Sequence, residues 1–351
     1  MEGYHMTTKE TAAIRAQADL HHAYLLGLQL AVSMEKGPDV VEEWMFRLFR
    51  RQHLEKFLSS FEKLGLSREP DAIACAKYHV LSNSIGGVGV EYMEESPKKA
   101  WVRFRYPRWM YDGPTLCGVP VGVSRGFLRG WYAHNGVSLK NPRLGYVCVS
   151  EDMTGEFGFC GYFKEYDHNL SDDERLQFAK GEMPPPFDPA KQPAPPAGEW
   201  SEERLEKANR NYAMEYVRNG LTELAGIIGA DEVRRIGGRA ARLIGLQYYP
   251  KMAKAVGAKD GTASDAADFL RRIFIGMGDQ TNPVSEQNDT CFQHTGLRFL
   301  RGIEGKERQL LLDCWQELWL GCIRSHREML SLDMQQINEE KVVWSVSNIR
   351  H

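Results

Sequence analysis

The spacing of apolar positions divides the chain into helical and extended stretches. In the first part, apolar residues recur every three or four positions, as on one face of a helix, and glycine or proline ends each run. These runs predict three helices, over about 18–36, 39–65 and 71–82. Two runs of alternating apolar and polar residues, 88–94 and 100–109, then flank a charged turn and predict a β-hairpin.

The segment from Cys117 to Tyr166 departs most from an ordinary soluble pattern. It begins with small residues, continues as an aromatic-rich stretch that predicts a helix carrying His134, and ends as two apolar runs that predict strands. Cys148 and Cys160 lie in or beside these strands. Aromatic, imidazole and thiol side chains together make this segment the first candidate for a functional site.

Seven prolines between residues 180 and 199 mark the clearest boundary in the chain. A segment with so few amide donors and such restricted dihedral angles is typical of an extended connector. Beyond it, the pattern predicts helices over about 201–229, 231–257 and 264–278, a strand pair around 289–302, an apolar helix over 310–332 and a closing strand over 341–349.

The order of elements after the connector repeats the order before it. Matching residues recur at a nearly constant offset of 192 to 195 positions, namely Gly37 and Gly229, Gln52 and Gln247, Asp71 and Asp265, Arg103 and Arg298, and His134 and His326. This offset predicts an internal duplication. The fold class we predict is α/β of the α+β type, with a helical unit on a small antiparallel sheet present twice and related by a pseudo-two-fold axis.

The duplication and the connector define the predicted domains. Residues 1–17 form a flexible N-terminus, residues 18–179 the first repeat with the site, residues 180–199 the connector, and residues 200–351 a second, degenerate repeat. By analogy with two-fold self-association, we expect the repeats to pack as a pseudo-dimer, and a homodimer of the whole chain is a further possibility.

Composition narrows the class of protein. The net charge of −3 gives no electrostatic basis for binding nucleic acid, and no window approaches the run of about 20 apolar residues that a membrane span needs. Seven cysteines at irregular spacing, after an N-terminus without an apolar signal region, favour free thiols in a reducing compartment. We therefore expect a cytoplasmic protein that binds neither nucleic acid nor membrane.

Several side chains of the 117–166 segment are candidates for chemistry. Cys148 and Cys160, on neighbouring strands, suit a divalent metal such as zinc, with His134 as a third ligand, although each thiol could equally be a small buried apolar group. His134 could instead act as a general base, and Asp152 as a catalytic acid. Arg125 or Arg143 could bind a substrate carboxylate through two hydrogen bonds, or else form surface ion pairs.

The same segment predicts a pocket for a small molecule. Aromatic side chains would line it: Trp131, Tyr132, Tyr146, Phe159 and Tyr162. Asn135 and Asn141 fit turn or cap positions, and Glu151 with Asp152 fits an acidic turn. The sequence contains no phosphate-binding loop, dinucleotide glycine motif, serine elbow or zinc-protease motif.

The run from Gly126 to Phe163, with Gly155, Gly158 and Cys160 near its end, resembles the last part of two known families. These are the 4-vinyl reductase ligand-binding fold and the L-2-amino-thiazoline-4-carboxylate hydrolase family. The second half follows the same order from Leu310 to Asn348 but lacks the final Gly and Cys. The resemblance to the first family implies a zinc site on the last strands, although the spacing of Cys148, Glu151 or Asp152, and Cys160 departs from that family's pattern.

The resemblance to the second family implies opening of a C–N bond in a small heterocycle by water. Our leading hypothesis is therefore a hydrolase for a small carboxylated substrate, such as a ring compound, in which His134, Cys148, Cys160 and Asp152 carry out the chemistry. The alternative is a binding module for an aromatic or lipid-like ligand without turnover. A third possibility is a structural protein whose pocket is filled by its own side chains.

Overall fold

The computed structural model describes residues 8–85, 87–106, 113–154, 156–195, 201–285 and 288–349. It divides the chain into two compact units: Val32–Ser201, called here the middle unit, and Met1–Ala31 with Glu202–His351, called the terminal unit. Each unit combines helices with a small, mainly antiparallel sheet, so the predicted α+β class is confirmed. Among the described residues, no helix has the length and apolar character that crossing a membrane requires.

The helix α1 (Thr8–Lys36) begins the described chain, and its residues as far as Ala31 belong to the terminal unit. The middle unit continues with the helices α2 (Pro38–Lys63) and α3 (Asp71–Ile85), the strands β1 (Val90–Ser96) and β2 (Lys99–Phe104), the short helices α4 (Gly122–Gly130) and α5 (Asn135–Ser138), and the strands β3 (Leu144–Ser150), β4 (Cys160–Glu165) and β5 (Leu176–Phe178).

The sheet of the middle unit has the strand order β1-β2-β4-β3-β5, in which only β5 pairs in parallel, with β3. Every residue of β3 is buried, as expected of a central strand covered on both faces. An apolar cluster covers one face and consists of Met93, Trp101, Val147, Val149, Cys160 and Tyr162. On the other face, His79 of α3 stacks on Phe163 of β4.

The terminal unit adds the helices α6 (Glu202–Ile228), α7 (Ala230–Val256) and α8 (Ala263–Gly276), the strands β6 (Gln280–Ser285) and β7 (Asn288–Thr295), the helix α9 (Gly305–Arg324), and the strands β8 (Leu330–Asn338) and β9 (Lys341–Asn348). Its sheet has the order β6-β7-β9-β8 and is antiparallel. α1 is tied to this unit where the Tyr24 hydroxyl donates to the Gly237 carbonyl, 3.0 Å away, and where Asp19 pairs with Lys251.

The two units repeat one topology. Each contains two helices, a hairpin, a further helix and two strands, and the last of these strands lies inside the sheet beside the hairpin. A long helix precedes each copy, α1 in the first case and α6 in the second. Each of these two helices is followed by a glycine with positive φ, Gly37 at 88° and Gly229 at 86°. Since only glycine adopts such angles readily, these glycines let the next helix start immediately in a new direction. The repeated topology agrees with the predicted duplication.

Glycine also brings one pair of helices close together in each unit. In the middle unit, a β-carbon at Gly126 would lie 2.5 Å from the Glu42 carbonyl oxygen, and one at Gly130 would lie 2.6 Å from that of Phe46, so α4 rests on the backbone of α2. In the terminal unit, Gly245 of α7 faces the Leu318 carbonyl of α9 at less than van der Waals distance. The missing side chains allow backbone-to-backbone packing in both copies.

The structure differs from the sequence expectations at several elements. Residues 8–17, which were predicted to be flexible, form the start of α1. Ile14 and Gln17 are buried there, because this part of the helix packs in the terminal unit. The division into units differs accordingly, since the described residues of α1 as far as Ala31 group with the chain from Glu202 onward. Residues 1–7, 107–109, 196–199 and Gly155, which entered the sequence predictions, lie outside the described residues.

The hairpin of the terminal unit lies earlier than predicted, over β6 and β7, and residues 298–300 form a 3₁₀ turn. Arg103 is therefore in a strand while Arg298 is not, so this pair shares an offset but not a structural position. The described part of the proline-rich segment is attached to the middle unit: the Gln192 side chain forms two 2.9 Å hydrogen bonds with the backbone of Tyr92 on β1.

Candidate functional site

A cleft of about 430 Å³ opens in the middle unit where β2 ends and β3 leads into its connection to β4. β2 and β3 lie on either side of β4 and are both antiparallel to it, so they run in the same direction. The residues that follow these two strands therefore meet at the same end of the sheet. The cleft is lined by basic, acidic and aromatic side chains together with two small or aliphatic residues: Arg103, Phe104, Arg105, Tyr106, Leu116, Asp152, Glu156, Phe157 and Gly158.

Asp152, one of the predicted catalytic residues, lies in the cleft lining. The residue is only 2% exposed, and two hydroxyl groups hold its carboxylate. The Tyr106 hydroxyl donates to Oδ1 over 3.0 Å and the Ser124 hydroxyl donates to Oδ2 over 3.2 Å. A carboxylate fixed in this way can accept a proton or a hydrogen bond from a molecule in the cleft.

Among the described residues of the cleft lining, Arg103 is a cation with unused hydrogen-bonding capacity. It lies on β2 opposite Cys160, and its Nε is buried without a hydrogen-bond partner among the described residues. The neighbouring Arg105, in contrast, lies 3.5 Å from a carboxylate oxygen of Glu91. Because a buried donor without a partner is costly, Arg103 is the group in the cleft that would gain most from a bound acceptor.

The arginines predicted to bind a substrate carboxylate are paired within the protein. Arg125 donates from Nε and from one terminal nitrogen to the two oxygens of Glu151, over 2.9 and 3.2 Å. This pairing raises the pKa of Arg125. Arg143 donates to Glu165 over 2.8 Å at an exposed site. Both side chains therefore form the ion pairs that were the alternative interpretation of these residues.

Cys148 and Cys160 do not converge. The register pairs Cys148 with Gly161, and Cys160 packs with Val147 and Val149, whose side chains alternate with that of Cys148, so the thiols point to opposite faces of the sheet. Burial raises the pKa of Cys160 to about 11 and that of Cys148 further. At neutral pH both are thiols rather than thiolates, as in small buried apolar side chains.

His134 lies on a 3₁₀ turn after α4, half-buried beside His53. Its Nδ1 donates to the Arg129 carbonyl over 2.9 Å. Burial, and then the charge of Arg50, lower its pKa, so the ring is neutral at neutral pH. The Cys148 thiol, in contrast, donates to the Ser150 carbonyl, 3.4 Å away. His134 and Cys148 thus have different partners.

No group of three potential metal ligands occurs among the His, Cys, Asp and Glu side chains of the described residues. His326, the counterpart of His134, has other partners: it is hydrogen-bonded to the Tyr249 hydroxyl and lies 3.2 Å from a carboxylate oxygen of Asp260.

The aromatic residues predicted to line one pocket are divided by the sheet. Tyr132 and Tyr146 pack against each other and against Phe163 on the helix-covered face, with ring centroids 4.6 to 5.5 Å apart. Tyr162 lies on the opposite face against Trp101 and donates its hydroxyl to Glu182. Phe159 packs near Tyr132, and Trp131 packs edge-on against His53. These rings contact protein neighbours rather than forming a single wall.

The structure also contains a buried polar chain that the sequence did not reveal. Arg50 donates to Nδ1 of His53 over 2.9 Å, His53 Nε2 donates to Asn135 Oδ1 over 3.2 Å, and Asn135 Nδ2 donates to His79 Nε2 over 3.0 Å. We call these four residues the imidazole chain. Asn135, which the sequence placed at a turn or cap, is its completely buried centre.

Both rings of the imidazole chain are neutral. Burial lowers the pKa of His53 to about 3, and it lowers that of His79 well below the usual value. Only the fold brings the members together, because 82 and 56 residues separate Asn135 from its two partners. In the sequence, the local indication of the imidazole chain was limited to the three-residue spacing of Arg50 and His53 on one predicted helix.

Comparison of the chain with protein-family models, curated proteins and solved structures finds no match. The functional argument therefore depends on the geometry of the cleft.

Proposed function

We propose that the middle unit binds a small aromatic or otherwise cyclic carboxylate in the cleft at the end of β2. The observation that carries this proposal is the buried Nε of Arg103, which has no hydrogen-bond partner among the described residues and lies in a cleft lined by aromatic rings. A carboxylate is a suitable acceptor for a guanidinium group, since it meets the planar group with two parallel hydrogen bonds.

The rest of the lining indicates what the other end of the ligand carries. Tyr106 and Phe157 are 44% and 45% exposed, so their rings offer apolar surface to a ligand at the cleft. Asp152 and Glu156 are acceptors when ionised and therefore favour a ligand with an N–H or O–H donor. A ring with a carboxylate on one side and an amino group on the other satisfies all three features.

Equilibrium binding of 4-aminobenzoate and of its neutral analogue 4-aminobenzamide to the full-length protein tests this proposal. We expect the carboxylate to bind at least tenfold more tightly, and Arg103→Gln to remove the preference, because a hydrogen bond to a charged group contributes about 1.5–3 kcal/mol. Arg143→Gln, which removes a paired surface arginine, is the matched control and should bind like the wild type. Equal binding of the two probes, or equal loss in both variants, would contradict the proposal.

Hydrolysis is the second candidate function, and the geometry of Asp152 favours it. A buried carboxylate held by two hydroxyls in a cleft wall can take a proton from water as that water attacks a bound ring. The thiols do not support a covalent route, because their raised pKa values keep them protonated at neutral pH. Any turnover would thus depend on Asp152 rather than on Cys148 or Cys160.

Incubation with 2-aminothiazoline-4-carboxylate separates binding from turnover. If the protein is a hydrolase, the mass of the compound increases by one water as a C–N bond breaks and the nitrogen takes up a proton. Asp152→Asn should then abolish this change, while Cys148→Ser and Cys160→Ser leave it intact. An unchanged substrate that nevertheless binds would identify a binding module.

A further inference from the structure

The terminal unit contains a second, smaller cavity of about 90 Å³. One wall is a face of α6, on which Asn211, Met214, Glu215 and Arg218 follow one another at the three- and four-residue spacing of a helix face. The other wall is the 3₁₀ turn after β7, with Arg298 and Arg301 three residues apart. Three of the six lining residues are thus arginines, and we call this space the arginine cavity.

A fourth guanidinium group, from Arg210, lies beside the arginine cavity. A β-carbon added to Gly278 would lie 2.9 Å from Arg210 Nη1 and 2.9 Å from Arg298 Nε, so the two guanidinium groups lie against the same glycine. Burial, and then the charge of Arg298, lower the pKa of Arg210. Two like charges at this distance destabilise each other unless an anion lies nearby.

The nearby carboxylate of Asp279 is already engaged. Its Oδ2 accepts from His294 Nε2 over 2.9 Å, and its Oδ1 accepts from the backbone nitrogen of Arg298 over 2.9 Å. His294 in turn accepts from the Trp344 indole at Nδ1 over 3.2 Å. Asp279 therefore fixes the turn that presents Arg298, and both of its oxygens have partners.

The guanidinium groups of Arg298, in the cavity lining, and of the adjacent Arg210 retain donors for a further acceptor. The Nε atoms of Arg210 and Arg298 are both buried and have no hydrogen-bond partner among the described residues. Among the described residues that line the cavity, the acidic one is Glu215, against three arginines and the adjacent Arg210. A cavity of this volume accommodates several water molecules, and hence one compact polar group.

We infer that the arginine cavity binds an oxyanion, either a carboxylate or a phosphate group of a small molecule. Planar guanidinium groups recognise both anions through paired hydrogen bonds, and a bound oxyanion would neutralise the repulsion between Arg210 and Arg298. This inference concerns the terminal unit and is independent of the function proposed for the middle unit. It also gives a binding role to the half of the chain that the sequence presented as degenerate.

Calorimetric titration of the full-length protein with inorganic phosphate, and separately with succinate, tests the inference at constant ionic strength. We expect at least one anion to bind saturably. Arg298→Gln and Arg301→Gln should each weaken binding about tenfold or more, as expected for the loss of one charge-assisted hydrogen bond. Arg301 is exposed, so its variant keeps the test valid if Arg298→Gln fails to fold.

Arg324→Gln is the matched control, because Arg324 is an exposed arginine at the end of α9 and does not line the cavity. It should bind like the wild type. Saturation by phosphate alone would indicate a phosphorylated ligand, and saturation by succinate alone would indicate a carboxylate. Absence of saturable binding, or equal weakening in Arg324→Gln, would overturn the inference.

Discussion

At the scale of single residues, the imidazole chain shows how buried polar groups are accommodated in the middle unit. Each member has a directional partner, from the Arg50 guanidinium group through His53 and Asn135 to His79. His79 is also stacked on Tyr132, with ring centroids 3.9 Å apart. Satisfied polar groups in a low-dielectric interior fix one arrangement of their neighbours, so this chain specifies how α2, α3 and α5 pack.

Asn135→Ala tests the importance of the imidazole chain. The substitution removes the partner of two buried imidazole nitrogens, and we expect it to lower the free energy of unfolding by about 2–4 kcal/mol. Chemical denaturation at pH 7.5 measures the change. Asn169→Ala, at an exposed position in the same unit, should stay within about 0.5 kcal/mol of the wild type. A loss below 1 kcal/mol for Asn135→Ala would show that water or rearrangement replaces the missing amide.

At the scale of elements, the close packing of α2 against α4 depends on glycine. Helix propensity alone favours alanine over glycine by about 1 kcal/mol in a helix interior. At Gly126, however, a methyl group would meet the backbone of α2, which cannot move aside as a flexible side chain can. At Gly126, steric overlap would therefore lower the stability of an alanine variant, whereas helix propensity would raise it. We expect the steric overlap to be the larger effect.

Gly126→Ala and Gly238→Ala separate the two effects. The first should destabilise the protein by about 1–3 kcal/mol, because its β-carbon overlaps the Glu42 carbonyl. At Gly238 of α7 the nearest atom is Cγ of the Glu317 side chain at 3.3 Å, so alanine should be neutral or stabilise by up to about 1 kcal/mol. Thermal and denaturant unfolding give both values. A stabilised Gly126→Ala protein would contradict the packing described for α4.

The sequence predicted the elements more accurately than their contacts. The spacing of apolar residues located the long helices and the strands around Cys148 and Cys160, since periodicity records which face is buried. It did not show that Cys148 and Cys160 face opposite ways, which depends on the register between β3 and β4. Nor could it bring Arg103 and Asp152 into one cleft, because residues about fifty positions apart meet only through the sheet order.

At the scale of the whole molecule, buried neutral histidines make stability depend on pH. Burial lowers the pKa of His21 to about 4, and that of His22 and His53 to about 3, whereas an unfolded histidine titrates near 6.5. Between these values the unfolded chain binds more protons than the folded chain. The folded state therefore keeps its full stability with respect to these rings above pH 6.5, and it loses stability as the pH falls, towards 4 for His21 and towards 3 for His22 and His53.

Each such ring should lower the free energy of unfolding by about 1.4 kcal/mol per pH unit below pH 6.5. Denaturant unfolding at pH 7.5, 6.5 and 5.5 measures the slope. His53→Gln removes one titrating ring from the middle unit and should reduce the slope accordingly, while His168→Gln, at an exposed position, should not. Identical slopes in the wild type and His53→Gln would show that His53 is not neutral in the folded protein.

The repeat of one topology is the property of the whole molecule that the offset of 192 to 195 residues indicated, although single pairs such as Arg103 and Arg298 do not occupy equivalent positions. The boundary between the units was predicted less well. The proline-rich segment marks the end of the middle unit near Ser201, but nothing in the apolar pattern of α1 shows that its residues up to Ala31 pack with α6 and α7.

The assignment of α1 affects any attempt to dissect the molecule. A gene truncated to begin after the proline-rich segment would encode a fragment without α1, leaving Gly237 without its tyrosine donor and Glu206 without Arg15. A circularly permuted gene, in which the original C-terminus is joined through a linker to the original N-terminus, would instead keep α1 on the same fragment as α6 and α7. Permutation therefore serves to isolate the terminal unit, whereas the middle unit, Val32–Ser201, is one continuous segment that truncation can isolate.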